Sequence, residues 1–140
     1  MIKVYCERGA LRNELKQLKN NGLIQLLHFP YEGNSKKLEI ADIPSVITID
    51  ITHITVDSTM RISDCGPSEK FNAIKSIIGN HEFDARHIDT AYKNKCLYFL
   101  SRDKDDIVGH SKELRSLLGI EFLHPDDDWE YFERKVSLNT

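Results

Sequence analysis

The sequence predicts an α/β fold of three layers, with helices on both sides of a mostly parallel sheet. Three observations carry this. The chain opens strand, helix, strand. The same alternation returns in its last third. The strand-like segments there are short continuous apolar runs, as strands buried on both faces should be, rather than half-exposed alternating ones. At 140 residues, with 40% hydrophobic and 29% charged side chains, the composition is that of one globular domain spanning 1–140.

Ile2 to Cys6 is the first apolar run and reads as a buried strand. Arg8 to Asn20 follows as a helix, with Leu11, Leu15 and Leu18 at helical spacing and Asn20-Asn21-Gly22 as its stop. Leu23 to Phe29 is the second strand, so the opening predicts a right-handed parallel crossover. Gly33 to Lys37 is a polar loop. Ser45 to Ile62 then alternates, with Ile47, Ile49 and Ile51 against Thr48, Asp50 and Thr52. Period two predicts half-exposed β structure, an atypical hairpin-like segment bent near Thr52-His53. Its edge would suit a partner strand or a second copy of the chain.

Asp64-Cys65-Gly66-Pro67 is a break, and Pro67 suits the first turn of a helix running to Ile78 and closed by Gly79. Asp84 to Lys93 is a helix with Ala85, Ile88 and Ala91 inward, and Cys96 to Leu100 a strand. Asp106 to Leu118 is a helix stopped by Gly119, and Ile120 to Leu123 a final strand. Pro125 and an acidic run lead into a terminal helix carrying Trp129, Tyr131 and Phe132. That aromatic cluster reads first as an anchor to the core and second as a base-stacking surface.

Net charge is −3, so no global electrostatic pull favours nucleic acid. The longest apolar run falls well short of the ~20 residues of a membrane span, and MIKVYCERG has no signal-peptide core. Three scattered cysteines (Cys6, Cys65, Cys96) without CxxC spacing predict a reducing, cytoplasmic setting and neither a disulfide framework nor a zinc site.

In open parallel sheets, ligands bind beyond the carboxyl ends of the strands. Three acids fall near such ends: Glu7 after the first strand, Asp103 after the third with Ser101 between, and Asp84 at the start of a helix. Hard cations such as Mg²⁺ or Mn²⁺ take oxygen ligands of this kind, often one or two carboxylates plus waters. Such an ion can activate water and steady the leaving oxygen of a phosphodiester. Each acid also has an ordinary structural role open to it. Asp84 can charge-balance a helix start, Asp103 can cap a turn, and Glu7 can be a solvated acid. His87 lies three residues beyond Asp84 on the same helix face. Asp105 and Asp106 would extend the acidic group or enrich a helix start.

The stretch Asp84-Ala85-Arg86-His87-Ile88-Asp89-Thr90-Ala91, followed by Tyr98-Phe99-Leu100-Ser101-Arg102-Asp103, resembles the C-terminal half of PIN domains. That pattern is an Asp-Ala opening, a helix ending in Thr-Ala, an apolar strand, then Thr/Ser-x-Asp. Val4-Tyr5-Cys6-Glu7 is similar to the family's first strand, which ends in Asp. The resemblance implies metal-dependent cleavage of RNA with Mg²⁺ or Mn²⁺, and a place among toxins of toxin–antitoxin pairs, with an antitoxin or another protein as partner. It implies that Asp84 and Asp103 ligate the metal, that Glu7 stands where the first Asp is expected, and that Ser101 orients an acid or a metal-bound water. The family's second acid, a helix Glu after the second strand, has no clear counterpart; Glu39 and Asp42 are the nearest. That gap leaves open a catalytically degenerate module of the same type that binds RNA or a protein partner.

Overall fold

The computed structural model describes residues 1–31, 40–48, 66–79 and 81–138. The Gly33–Lys37 loop, Glu39, the alternating stretch from 49 onward and Asp64-Cys65 lie outside the described residues. Among the described residues four strands form one sheet: β1 (Ile2–Cys6), β2 (Ile24–Leu27), β3 (Tyr98–Leu100) and β4 (Glu121–Leu123). Their order is β2-β1-β3-β4 and every pairing is parallel. The helices are α1 (Asn13–Asn20), α2 (Phe71–Ile78), α3 (Glu82–Lys93), α4 (Ser111–Leu118) and α5 (Trp129–Leu138).

The three layers follow from side-chain alternation on the strands. Ile2, Val4 and Cys6 of β1, with Tyr98 and Leu100 of β3, pack with Leu15 of α1 and Trp129, Phe132 and Val136 of α5. Tyr5 and Phe99, pointing the other way, pack with Ile74 of α2, Ala85, Ile88 and Ala91 of α3 and Leu114 of α4. Trp129 and Phe132 are therefore core residues, the first of the two roles their spacing offers.

The long first helix expected over Arg8–Asn20 is broken. Arg8–Ala10 is a single 3₁₀ turn, and Leu11 and Arg12 are extended before α1 begins. Tertiary contacts win over helical spacing here. The Arg12 guanidinium donates to the Pro125 carbonyl at 2.8 Å and lies 4.5 Å above the Trp129 ring. The helix expected from Asp106 starts at Ser111, because Asp103 to His110 is folded into turns, closed by Val108 N–H on the Asp103 carbonyl and by a 3₁₀ segment at Val108–His110. Gly79 and Gly119 end α2 and α4 in the left-handed region, as their positions predict.

Helix α3 has two working sides. One faces the core. On the other, the buried Asp89 carboxylate accepts the Thr48 hydroxyl at 2.7 Å and the Ser68 N–H at 3.0 Å, and also the Ser68 hydroxyl. One turn on, Lys93 Nζ donates at 2.6 Å to both the Ile47 and the Gly66 carbonyls. Asn94 then donates to the Val46 carbonyl at 2.6 Å. The chain on either side of residues 49–65 is thus gripped by one helix.

Candidate functional site

Strand order reverses direction between β1 and β3, so the carboxyl ends of those two strands border a crevice where α/β sheets bind ligands. Glu7 stands at that split. Its N–H donates to the Leu100 carbonyl at 3.1 Å, extending the β1–β3 pairing by one residue. Beside it, burial and then the Glu7 charge push the Cys6 thiol up to about 12, so that cysteine stays protonated and inert.

Asp103 follows β3 through Ser101, which is fully buried. The Ser101 hydroxyl accepts the Asp103 N–H at 3.0 Å, and Asp103 Oδ1 in turn accepts the Asp106 N–H at 2.8 Å. These two bonds fold the acidic turn back on itself and bring Asp106 towards the start of α3. There His81 Nε2 lies 3.5 Å from Asp106 Oδ1. The ligand atoms of His81, Asp84 and Asp106 all fall within 4.8 Å of one another, so these three side chains could hold a metal ion. An imidazole with two carboxylates is a donor set suited to a divalent cation that accepts both nitrogen and oxygen, with positions left for water.

Burial, and next the charge of Asp103, hold the Asp84 carboxyl above its usual value; the His87 and His81 rings pull it down only when protonated, and the Asp106 charge adds to the rise. Like charges crowded at one point are what a cation would relieve. An acid whose folded value is raised binds its proton more tightly in the folded chain, so stability falls as pH rises from the ordinary carboxylate range through the raised value. Asp84→Asn should therefore raise the melting temperature of the metal-free protein at neutral pH. The advantage should vanish below the ordinary carboxylate range. Thermal melts across pH check this, and a neutral-pH melt lower than wild type would contradict it.

The structure thus brings Asp84 and Asp103 into electrostatic contact, nineteen positions apart in sequence as the spacing allows, and places Glu7 and Ser101 at the same sheet edge. Neither Asp103 nor Glu7 is in the ligand trio. His81 and Asp106 take those places. A signal for His81 was present: it precedes Asp84 by three residues, as His87 follows it by three, and it caps the helix that Asp84 opens. Asp42 lies beside β2, where its N–H donates to the Leu26 carbonyl at 2.8 Å and its carboxylate accepts from Gln25 at 3.1 Å.

The loops around the crevice are cross-tied. Arg102 donates to the Gly9 carbonyl at 2.6 Å and pairs with Asp126, which also meets Arg12 at 3.4 Å. Lys104 pairs with Asp127 at 2.6 Å. The loops after β1, β3 and β4 are therefore held together at the edge that carries the acids. No protein-family model matches this sequence, and no curated protein or solved structure matches it either. Among the described residues no helix is long and apolar enough to cross a membrane.

Proposed function

We propose that the chain is a divalent-cation-dependent ribonuclease of PIN-like type, working with Mn²⁺ or Mg²⁺. The observation that carries this reading is the convergence of His81, Asp84 and Asp106 where the turn after β3 meets the start of α3, with the Asp103 charge beside it. In this reading the trio holds the ion. Asp103 and Ser101 fix the turn that delivers Asp106, and Glu7 lines the strand end next to it. A cation there would polarise a phosphoryl oxygen and lower the pKa of a bound water. The choice of RNA, and of a toxin with an antitoxin as its partner, rests on the resemblance over Asp84–Ala91 and Tyr98–Asp103.

Purified protein incubated with structured and single-stranded RNA should cleave in the presence of Mn²⁺ and stop when EDTA is added. RNA left intact over a wide set of substrates, by protein shown to bind Mn²⁺, would remove the nuclease reading. It would favour the second one, a catalytically degenerate PIN-like module binding RNA or a protein partner. One observation supports that alternative: Asp103 Oδ1 is spent on capping the Asp106 turn, and Glu7 is outside the trio.

A further inference from the structure

One buried hydrogen bond joins the strand that leads to Glu7 and the helix that carries Asp84. Tyr5 of β1 and His87 of α3 are both buried, and the Tyr5 hydroxyl lies 2.5 Å from His87 Nδ1. The same oxygen accepts the Phe29 N–H at 3.2 Å from the segment after β2. Three parts of the chain at the carboxyl edge therefore meet at one phenol oxygen.

The surroundings fix both rings. Tyr5 stacks on Phe99, centroids 5.2 Å apart and 9° from parallel. His87 has Tyr31 edge-on at 5.1 Å and His28 stacked at 5.6 Å. His28 is itself fixed, because its Nδ1 donates to the Cys6 carbonyl at 3.0 Å. Interiors packed this way transmit a displacement rather than absorb it.

Position gives the bond its meaning. Residues two apart on a strand share a face, so Tyr5 is in register with Glu7. Residues three apart on a helix share a face, so His87 is in register with Asp84. A tie between Tyr5 and His87 sets how far the end of β1 stands from the first turns of α3. We propose that His87 is a positioning residue of the cation site, anchored by Tyr5, which donates to Nδ1 and leaves the ring proton on Nε2. The inference rests on the cation reading above. Partners that orient a metal site from behind its ligands commonly matter about 10–100-fold in metal affinity.

The test is Mn²⁺ titration of the full chain, followed by the electron paramagnetic resonance signal of the free ion, with a thermal melt of each variant. Tyr5→Phe removes one oxygen and keeps the ring; it should weaken Mn²⁺ binding about 10–100-fold. His87→Leu should do the same. The double variant should be no weaker than either single one, because both remove a single link. His87→Asn sets an amide oxygen near the Nδ1 position and should recover most of the affinity. The ¹⁵N–¹H long-range spectrum of the metal-free protein should show His87 as the neutral Nε2–H form.

Wild-type protein that binds no Mn²⁺ would sink the cation reading and the positioning role with it. Wild type that binds, with Tyr5→Phe equally tight, would overturn the positioning role alone. So would a loss in Tyr5→Phe and His87→Leu that His87→Asn does not restore, since that is the result of lost packing. A His87 proton found on Nδ1 would overturn the assigned direction of the bond.

Discussion

Asp84→Asn should abolish Mn²⁺ binding and, with it, the proposed RNA cleavage. The carboxylate of Asp84 is half-buried and feels the Asp103 charge. An amide there keeps shape but offers only a neutral oxygen, and the cation loses a charge and its carboxylate ligand. Removing a ligand should cost more than the 10–100-fold typical of supporting residues, so binding falls by about a thousandfold or beyond detection. Asp103→Asn should fall in the milder range, because Asp103 acts by capping the turn of Asp106 and through its charge. The same Asp84→Asn protein should melt higher without metal, as argued above. Lost binding together with a raised melting temperature separates a site residue from a scaffold residue. Calorimetric titration decides the matter: Asp84→Asn protein that takes up Mn²⁺ as tightly as wild type would end the assignment of the trio.

Asp89→Ala lowers stability by about 2–5 kcal/mol. The side chain is fully buried and serves Thr48 Oγ1, the Ser68 N–H and the Ser68 hydroxyl together. Alanine would strand those donors without a replacement acceptor, at about 1–3 kcal/mol for each that stays buried. For a chain of this length the melting temperature should drop by roughly 10 °C or more. Asp89→Asn keeps one acceptor oxygen and should lose less. Urea unfolding of the three proteins measures the differences. A loss under about 0.5 kcal/mol in Asp89→Ala, the size expected at an ordinary surface position, would show that the grip of α3 on Thr48 and Ser68 is not a stabilising contact.

The parallel sheet was legible because its strands announce themselves twice, by apolar runs and by the helices between them. Ile2–Cys6 needed no tertiary knowledge at all. The helix over Arg8–Asn20 misled for a definite reason: Leu11 and Leu15 have helical spacing, but Arg12 is claimed by Pro125, Asp126 and Trp129, far away in sequence. Periodicity cannot register such a partner. At the site, Asp84 and Asp103 were readable from strand-end logic and from the resemblance. Asp106 was readable only as one of several acids, because its approach to His81 depends on the backbone bond it gives Asp103. His87 could be placed on the Asp84 face, but its partner Tyr5 sits on a strand eighty-two residues away, and no local pattern pairs them.

The grip of α3 on Thr48, Ile47, Gly66 and Ser68 has a consequence for descent. Both exits of the intervening segment are fixed at one address, so its length and sequence can drift while the address stays. Lineages carrying this fold are therefore free to differ most between Thr48 and Gly66. The helix that holds those ends is constrained on both sides at once, by Asp84 and His87 on one and by Asp89 and Lys93 on the other. In a set of orthologues, α3 should be the slow-changing element and the segment it clasps the fast one.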